Sequence, residues 1–498
     1  MCVKKNLCYV CKQESWSVHL VEEETVNMSG MDIDDNKQGG GDLSKRQGLI
    51  AVNDLTYVLE PDLSVATNKT HKVHFFQANN YTSGQNAICI LNSGADYIDT
   101  RRSWLQFDVT LPGEDNGHFG ANGSACNLIS QITVSTRSGD VLCQLFDYNL
   151  MQAILLPITY DKGWVDTVGQ TMGFGGKIKS GSKQRLMIPM YVLAPLFSYG
   201  RLMPAMLMSG LRIEILWADT KTALEMKGGD VFPAYTVSDP QFVLSSIQLS
   251  DSIQRSLNEL SATNGLEIVY TDYERTPFTQ NNALTNAHIE IRKSCSRALK
   301  AFARIRQRNF DERVMNVENK DDVFYVSGGV GAEGQYDSFK SENQAPVFEY
   351  QWQLGSLYFP QQPVRAPENA EGCKQVKLST YSHLLEACDK YHDGARPMYT
   401  SYYGTHAKPF TYRTIATSDD LDDTGSYVHD AHTIAVTLER STMFNLAGVP
   451  VNNSRVLALH ARLLGTSSEV ANPVRQIDVF LKYVKLARVF LNNVEVEQ

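Results

Sequence analysis

Four short constellations in this chain of 498 residues combine residue types and spacings that chemistry uses. Cys8-Tyr-Val-Cys11, with Cys2 before it and His19 after it, offers the thiolate and imidazole donors of a zinc site. Such a site ordinarily pairs two knuckles, and no second C-x-x-C follows. The expectation is a polar tail, not a metal centre. Gly329-Val-Gly331-Ala-Glu-Gly334 has the G-x-G-x-x-G spacing that seats a pyrophosphate on a helix N-terminus. The stretch from Gln335 to Asn343 is turn-like where a helix is required, so a glycine-rich hairpin is expected. Gly173-Phe-Gly-Gly-Lys177-Ile-Lys-Ser180 has the composition of a phosphate loop, but Ile178 stands where a Ser or Thr must follow the Lys. That stretch reads as a mobile loop. His429 and His432 lie near Asp419, Asp420, Asp422 and Asp423, which reads as solvated loop charge. The chain has no H-E-x-x-H, no H-x-H and no G-x-S-x-G. The reading therefore assigns no catalytic, cofactor-binding or metal-binding residue and expects no enzyme.

Two longer stretches suit contacts with other macromolecules. Residues 289–313 carry Arg292, Lys293, Arg297, Lys300, Arg304, Arg306, Arg308 and Arg313 against only Glu290, Asp311 and Glu312. As a helix this would be a basic amphipathic surface for nucleic acid. As strands, Ala298 to Arg306 turns its basic residues outward and Leu299, Ala301, Ala303 and Ile305 inward. The strand reading is preferred, with the basic face on an acidic neighbour or on the inside of an assembly. Tyr391 to Tyr412 gathers Tyr399, Tyr402, Tyr403, Phe410 and Tyr412 around glycines and prolines. Such rings suit either a protein–protein contact or the packing of a long ordered loop.

The elements that must position these residues are mainly strands. Hydrophobic residues make up 43% and charged residues 20%, which is a globular balance and excludes a disordered or fibrous chain. The net charge of −9 excludes an overall basic footprint for nucleic acid. Period-two alternation marks strands at Lys72–Phe76, Trp104–Leu111, Ile129–Ser135, Leu211–Trp217, Gln241–Leu249 and Leu266–Tyr270. It recurs at Val323–Val326, Thr433–Leu438, Val456–Leu463 and Ile477–Tyr483. Helices are few: Asp251–Ser261, stopped by Gly265, and Leu378–Tyr391, with Leu384, Leu385 and Cys388 inward. The length exceeds one core, and the domain change falls at about 220–250. Met203-Pro204 to Ile215 and Val449-Pro450 to Leu459 share the order Pro, turn, Arg, apolar strand, a faint internal repeat. The longest apolar run, Leu186–Phe197, is too short for a bilayer and holds Pro189 and Pro195. No signal peptide follows Lys4 and Lys5. The nine cysteines are odd in number and scattered, which suggests a reducing compartment.

The order of these segments resembles the double jelly-roll major capsid proteins of double-stranded DNA viruses. That lineage includes adenovirus hexons and the capsid proteins of virophages, polinton-like viruses and large nucleocytoplasmic viruses. Asn127 to Leu142, with its Gly139 turn, followed by Asp147-Tyr148, resembles the family's strand–turn–strand unit. Ile188-Pro189 through Ser198, then Leu202–Pro204 and Leu211–Ile215, resembles the closing hairpin of the first roll. His288–Arg292 followed by Ala298–Phe302 is similar to the opening of the second. The resemblance implies an all-β fold of two consecutive jelly-roll sandwiches with few short helices. Residues 1–48 would be a flexible arm, 49–240 the first roll and 241–498 the second roll with long surface loops. The arm would tie neighbouring capsomers or underlying proteins, and Met28 or Met31 is an alternative start that leaves translation of residues 1–27 open. It also implies a major capsid protein of the virion, assembled inside the host cell as pseudo-hexameric homotrimers that tile an icosahedral shell. Its partners would be itself, penton proteins and minor capsid proteins, with no cofactor, no membrane span and no direct sequence-specific contact with nucleic acid. A carbohydrate-binding or adhesive β-sandwich is the alternative function.

Overall fold

The computed structural model describes residues 66–113, 117–119, 123–227, 233–280, 286–307, 314–315, 347–365, 382–390, 433–440, 447–463, 475–490 and 493–497. These lie in one unit, Ser64–Gln498. The arm 1–48 with Cys8 and Cys11, the Gly329–Gly334 motif and Val323–Val326 fall outside the described residues. So do the aromatic stretch from Tyr391 to Tyr412 and the His429/His432 turn.

Sixteen strands carry the architecture. The first eight are β1 (Ala66–Phe75), β2 (Asn86–Ile90), β3 (Tyr97–Thr110), β4 (Ile129–Ser135), β5 (Val141–Leu145), β6 (Lys183–Pro189), β7 (Arg212–Trp217) and β8 (Thr236–Leu249). The second eight are β9 (Leu266–Gln280), β10 (Asn286–Ile291), β11 (Cys295–Gln307), β12 (Val347–Leu354), β13 (Leu357–Arg365), β14 (Ile434–Thr437), β15 (Leu457–Leu463) and β16 (Arg475–Val489). The first set forms two sheets in the orders β1-β8-β3-β6 and β2-β7-β4-β5. The second set forms β9-β16-β11-β14 and β10-β15-β12-β13. Adding eight to each strand number of the first pair of sheets gives the second pair. Each set is thus an eight-stranded jelly roll, with sheets joined across a core. The two rolls are an internal repeat in topology. The repeated Pro–turn–Arg–strand pattern marks equivalent strands, β7 and β15.

Alternation explains why these segments pair as they do. In β7, Ile213, Ile215 and Trp217 are buried, with Glu214 and Leu216 between them. In β10, Ala287, Ile289 and Ile291 are buried while Asn286, His288 and Glu290 are exposed. Trp217 meets Phe107 edge to face in the first core, with centroids 5.1 Å apart. Trp352 and Tyr350 fill the second core beside Leu457 and Leu459.

The course of the chain differs from the sequence reading at three places. The expected boundary at 240 falls inside β8, whose partners β1 and β3 both belong to the first roll. Asp239-Pro240 looks like a break because Pro donates no ladder hydrogen bond. It is instead absorbed by a register shift between Ser238 and Gln241, with Asp239 at φ 49°. First-roll pairing ends at Leu249 and second-roll pairing begins at Leu266. Second, helix α1 (Tyr148–Thr159) carries no amphipathic signal because Tyr148 to Ile158 are all buried. Third, the glycine stretch at 173–181 is packed. Met172 and Phe174 are buried, Gly175 N–H donates to the Gly123 carbonyl at 2.8 Å, and Lys177–Ile178 pairs with Gly117–His118.

The expected helix at 251 forms as α2 (Asp251–Thr263), and Gly265 follows it at φ +74°. The second expected helix spans 382–387 among the described residues. Leu384 and Ala387 are buried there, with Leu385 and Cys388 packed alongside. No described helix is long and apolar enough to cross a membrane.

Candidate functional site: the seam between the rolls

The described residues bring no three or more His, Cys, Asp or Glu into a metal-holding group. A buried polar cluster lies where the two rolls meet. β9 and β16 pair over fifteen residues each, from Leu266↔Val489 to Gln280↔Arg475. Part of this ladder covers the second-roll core, where Ile477, Val479 and Leu481 point. The rest reaches the first roll, so Ile268, Tyr270, Ala487 and Val489 join the first-roll core.

A buried polar network closes this seam. Asp272 of β9 and Lys485 of β16 form an ion pair at 2.7 Å, both nearly sealed from solvent. The Lys485 ammonium donates to the Leu142 carbonyl of the first roll at 3.0 Å, and the Tyr270 hydroxyl donates to the same oxygen at 2.7 Å. The Tyr483 hydroxyl donates at 3.3 Å to Asp272 Oδ2, the same oxygen that Lys485 holds, and the Cys143 thiol donates to Oδ1 at 3.5 Å. Burial, then the negative charge of Asp272, pushes the Cys143 thiol well above its ordinary range. A second clamp lies nearby. Arg275 donates through Nε and Nη2 to Asp478 at 3.0 and 2.6 Å, and through Nη1 to Asp147 of the first roll. Asp147 sits at φ 45° ahead of α1 and does not cap that helix with its side chain. A cavity of about 270 Å³ lies between the clamps, lined by Phe146 and Met151 of one roll and Tyr273 and Phe480 of the other.

The basic segment 289–313 forms strands in its described part, as preferred from the sequence. Ala301 and Ala303 face the second core. Its basic side chains are not all outward. Lys300 and Arg304 are buried, and Lys300 pairs with Asp389 and, at 3.6 Å, with Glu439. Acidic neighbours within the chain thus cover this part of the basic face. Arg308 and Arg313 lie outside the described residues.

The two rolls are treated unequally at equivalent surfaces. In the second roll the outer face of sheet β9-β16-β11-β14 is covered: Phe302 and Phe480 are 4% and 1% exposed and share a cluster with Leu384, Ala387 and first-roll residues. In the first roll the equivalent face is open at its β1 edge, while Val243 of the next strand is buried. Val73 and Phe75 of β1 are 45% and 67% exposed there. Val73 opposes Val243, which opposes Trp104, which opposes Pro189, a mostly apolar row across four strands. At the start of β5, Val141 is 46% exposed yet lines the seam cavity beside residues of the second roll. Its counterparts at the start of β13, Leu357 and Tyr358, are as exposed, at 49% and 45%. No sequence signal separates a covered Phe480 from an open Phe75; only the topology does.

The fold so defined is the double jelly roll. A PBCV-1 virus capsid quasi-atomic model contains a chain similar to this one, with TM-score 0.54 and 10% identity, over 89% of this chain and 99% of that one. PBCV-1 VP54, fitted into a reconstruction of the virophage Sputnik, matches with TM-score 0.53 and 11% identity, over 89% and 99%. A chain of the Sputnik virophage itself matches with TM-score 0.50 and 9% identity, over 95% and 93%. No family model matches the sequence, and no curated protein matches it.

Proposed function

We propose that this chain is a major capsid protein, a structural component of a virion, that assembles as a homotrimer. The observation that carries the reading is the unequal treatment of the two rolls. Inside the chain, the β5 side of the first roll packs against β9 and β16 of the second. The topologically equivalent surfaces are the β13 start, with Leu357 and Tyr358 exposed, and the β1 edge, with Val73 and Phe75 exposed. Docking the first on the second of another copy repeats the internal junction between molecules. Such a contact is heterologous, and heterologous contacts close into rings when the rotation permits. Six rolls from three chains make a tile that approximates a hexagon and packs a flat facet. The solved structures of like fold, from PBCV-1 and Sputnik, are capsid components and support this reading.

The role is burial of surface, not catalysis. Penton and minor capsid proteins are the proposed further partners, and residues 1–48 the proposed tie between capsomers. The first roll is proposed to end with β8 and the second to begin with β9. The mass of the full chain in solution, by light scattering after gel filtration, tests the assembly. A particle of three chains, or hexagonal tiles under negative stain, supports it. A monomer at tens of micromolar sinks it.

A further inference from the structure

On the outer face of sheet β10-β15-β12-β13, His288 and His460 are direct cross-strand partners. Their Nδ1 atoms lie 3.2 Å apart, and their rings are tilted by 37° with centroids at 4.4 Å. Each ring is held from its far side by an acceptor. His288 Nε2 is 3.3 Å from Oε1 of Glu290, and His460 Nε2 is 2.6 Å from Oε1 of Gln353. The Gln353 amide is oriented in turn, since its Nε2 donates to the Gly355 carbonyl at 2.8 Å. A carboxylate or amide oxygen only accepts, so each Nε2 carries the ring hydrogen. With both rings neutral, that leaves the two Nδ1 lone pairs facing across 3.2 Å, a contact that either a proton or a metal ion held between them relieves. Two facing lone pairs at this distance repel unless a cation lies between them.

We propose that His288 and His460 form a two-imidazole site for a divalent transition-metal ion of the Zn²⁺ or Cu²⁺ class. Two nitrogens bound at about 2.0–2.1 Å to a tetrahedral ion stand roughly 3.3 Å apart, which the observed 3.2 Å matches. Neutral imidazole is the ligand these ions favour. Glu290 and Gln353 act as the outer partners that fix tautomer and ring angle. The His288 side chain is half exposed, so the remaining coordination positions open to solvent, for water or for a donor from another molecule. The sequence contains no H-x-H, and these two residues are 172 positions apart, so only strand pairing reveals the site.

The test uses the full chain and the metal alone. Calorimetric titration with ZnCl₂ compares the wild type with H288A, H460A and the double variant, because Cys8 and Cys11 elsewhere can add their own binding. The expected result is one fewer ion per chain in the double variant and at least tenfold weaker binding at that site in either single variant. Gln353→Leu, which leaves both ligands, weakens the same site by about tenfold. Cu²⁺-loaded wild type shows paramagnetic resonance coupling to two nitrogens that the double variant lacks. Unchanged stoichiometry and affinity in a folded double variant overturns the site.

Discussion

Asp272 and Lys485 lie on neighbouring strands of the second roll, yet the third member of their contact is a backbone oxygen of the first. The ion pair is 2.7 Å long and the Lys485 ammonium also donates to the Leu142 carbonyl. Removing one member of a buried pair strands the other charge, at about 3–5 kcal/mol. Lys485→Met and Asp272→Asn should each lower stability by that order, and the double variant by less than their sum. Urea unfolding of all four proteins measures the coupling. Additive losses would show that the pair does not act as a unit.

Phe75 belongs to the open apolar face of the first roll. Phe75→Asp should weaken self-association while leaving the fold intact, because the side chain is 67% exposed. Loss of a central aromatic anchor costs an interface about 2 kcal/mol or more, roughly a thirtyfold weakening. Tyr358→Asp, on the other surface proposed for the contact, should do the same. Sedimentation of each variant against wild type reads the result. Assembly that survives both substitutions places the contact elsewhere.

Gly265 ends α2 at φ +74°, and a Cβ there would meet the Phe490 ring at 3.0 Å. Gly265→Ala adds both backbone strain and a steric clash, at about 1–3 kcal/mol together. A fall in Tm of several degrees is expected. Gly139, also at positive φ but with open space around it, should lose less on the same change.

Asp108 gives a pH signature. Hydrogen bonding to Arg185 holds its carboxyl below the ordinary range; burial pushes the other way, and Lys183 adds a further lowering contact. A depressed folded value contributes stability that is complete above the unfolded value of about 3.9 and is lost as pH falls through the folded one. Asp108→Asn should therefore be less stable than wild type at pH 7, with the gap closing as pH drops below about 4. A gap independent of pH would assign the loss to packing.

Burial raises the Cys89 thiol to about 12, and it raises the Cys126 and Cys388 thiols to about 11 against opposing hydrogen bonds at Cys126 and opposing lysines at Cys388. A thiol at 11 is about 0.1% thiolate at pH 8. These three should resist iodoacetamide in the native protein and react after unfolding, as peptide mass mapping can follow. Rapid native labelling of Cys126 would mean that the first core opens.

Much of the fold is legible in the sequence because half-buried strands alternate visibly. Ile129–Ser135 is a strand over the residues its alternation marks, and Gly265 stops α2 as expected. The sequence conceals whatever is buried on all sides or made by distant pairing. The helix Tyr148–Thr159 has no polar face to betray it. The Asp239-Pro240 break conceals the continuity of β8, since a bulge absorbs it. The seam is less legible still. Asp272, Arg275 and Lys485 read as ordinary surface charges of strands until the pairing of β9 with β16 places them against the first roll.

That pairing also sets an order of events for a chain leaving the ribosome. The first roll has all its strands once Leu249 is made. β9 and β11, by contrast, flank β16 in their sheet and must wait until Arg475–Val489 emerges. Contacts of such long sequence separation form slowly, and unpaired edges invite aggregation in the meantime. Lys485 and Ala487, which lock the two halves together, ride on this same late strand. Docking of the halves is thereby reserved for chains translated through residue 489.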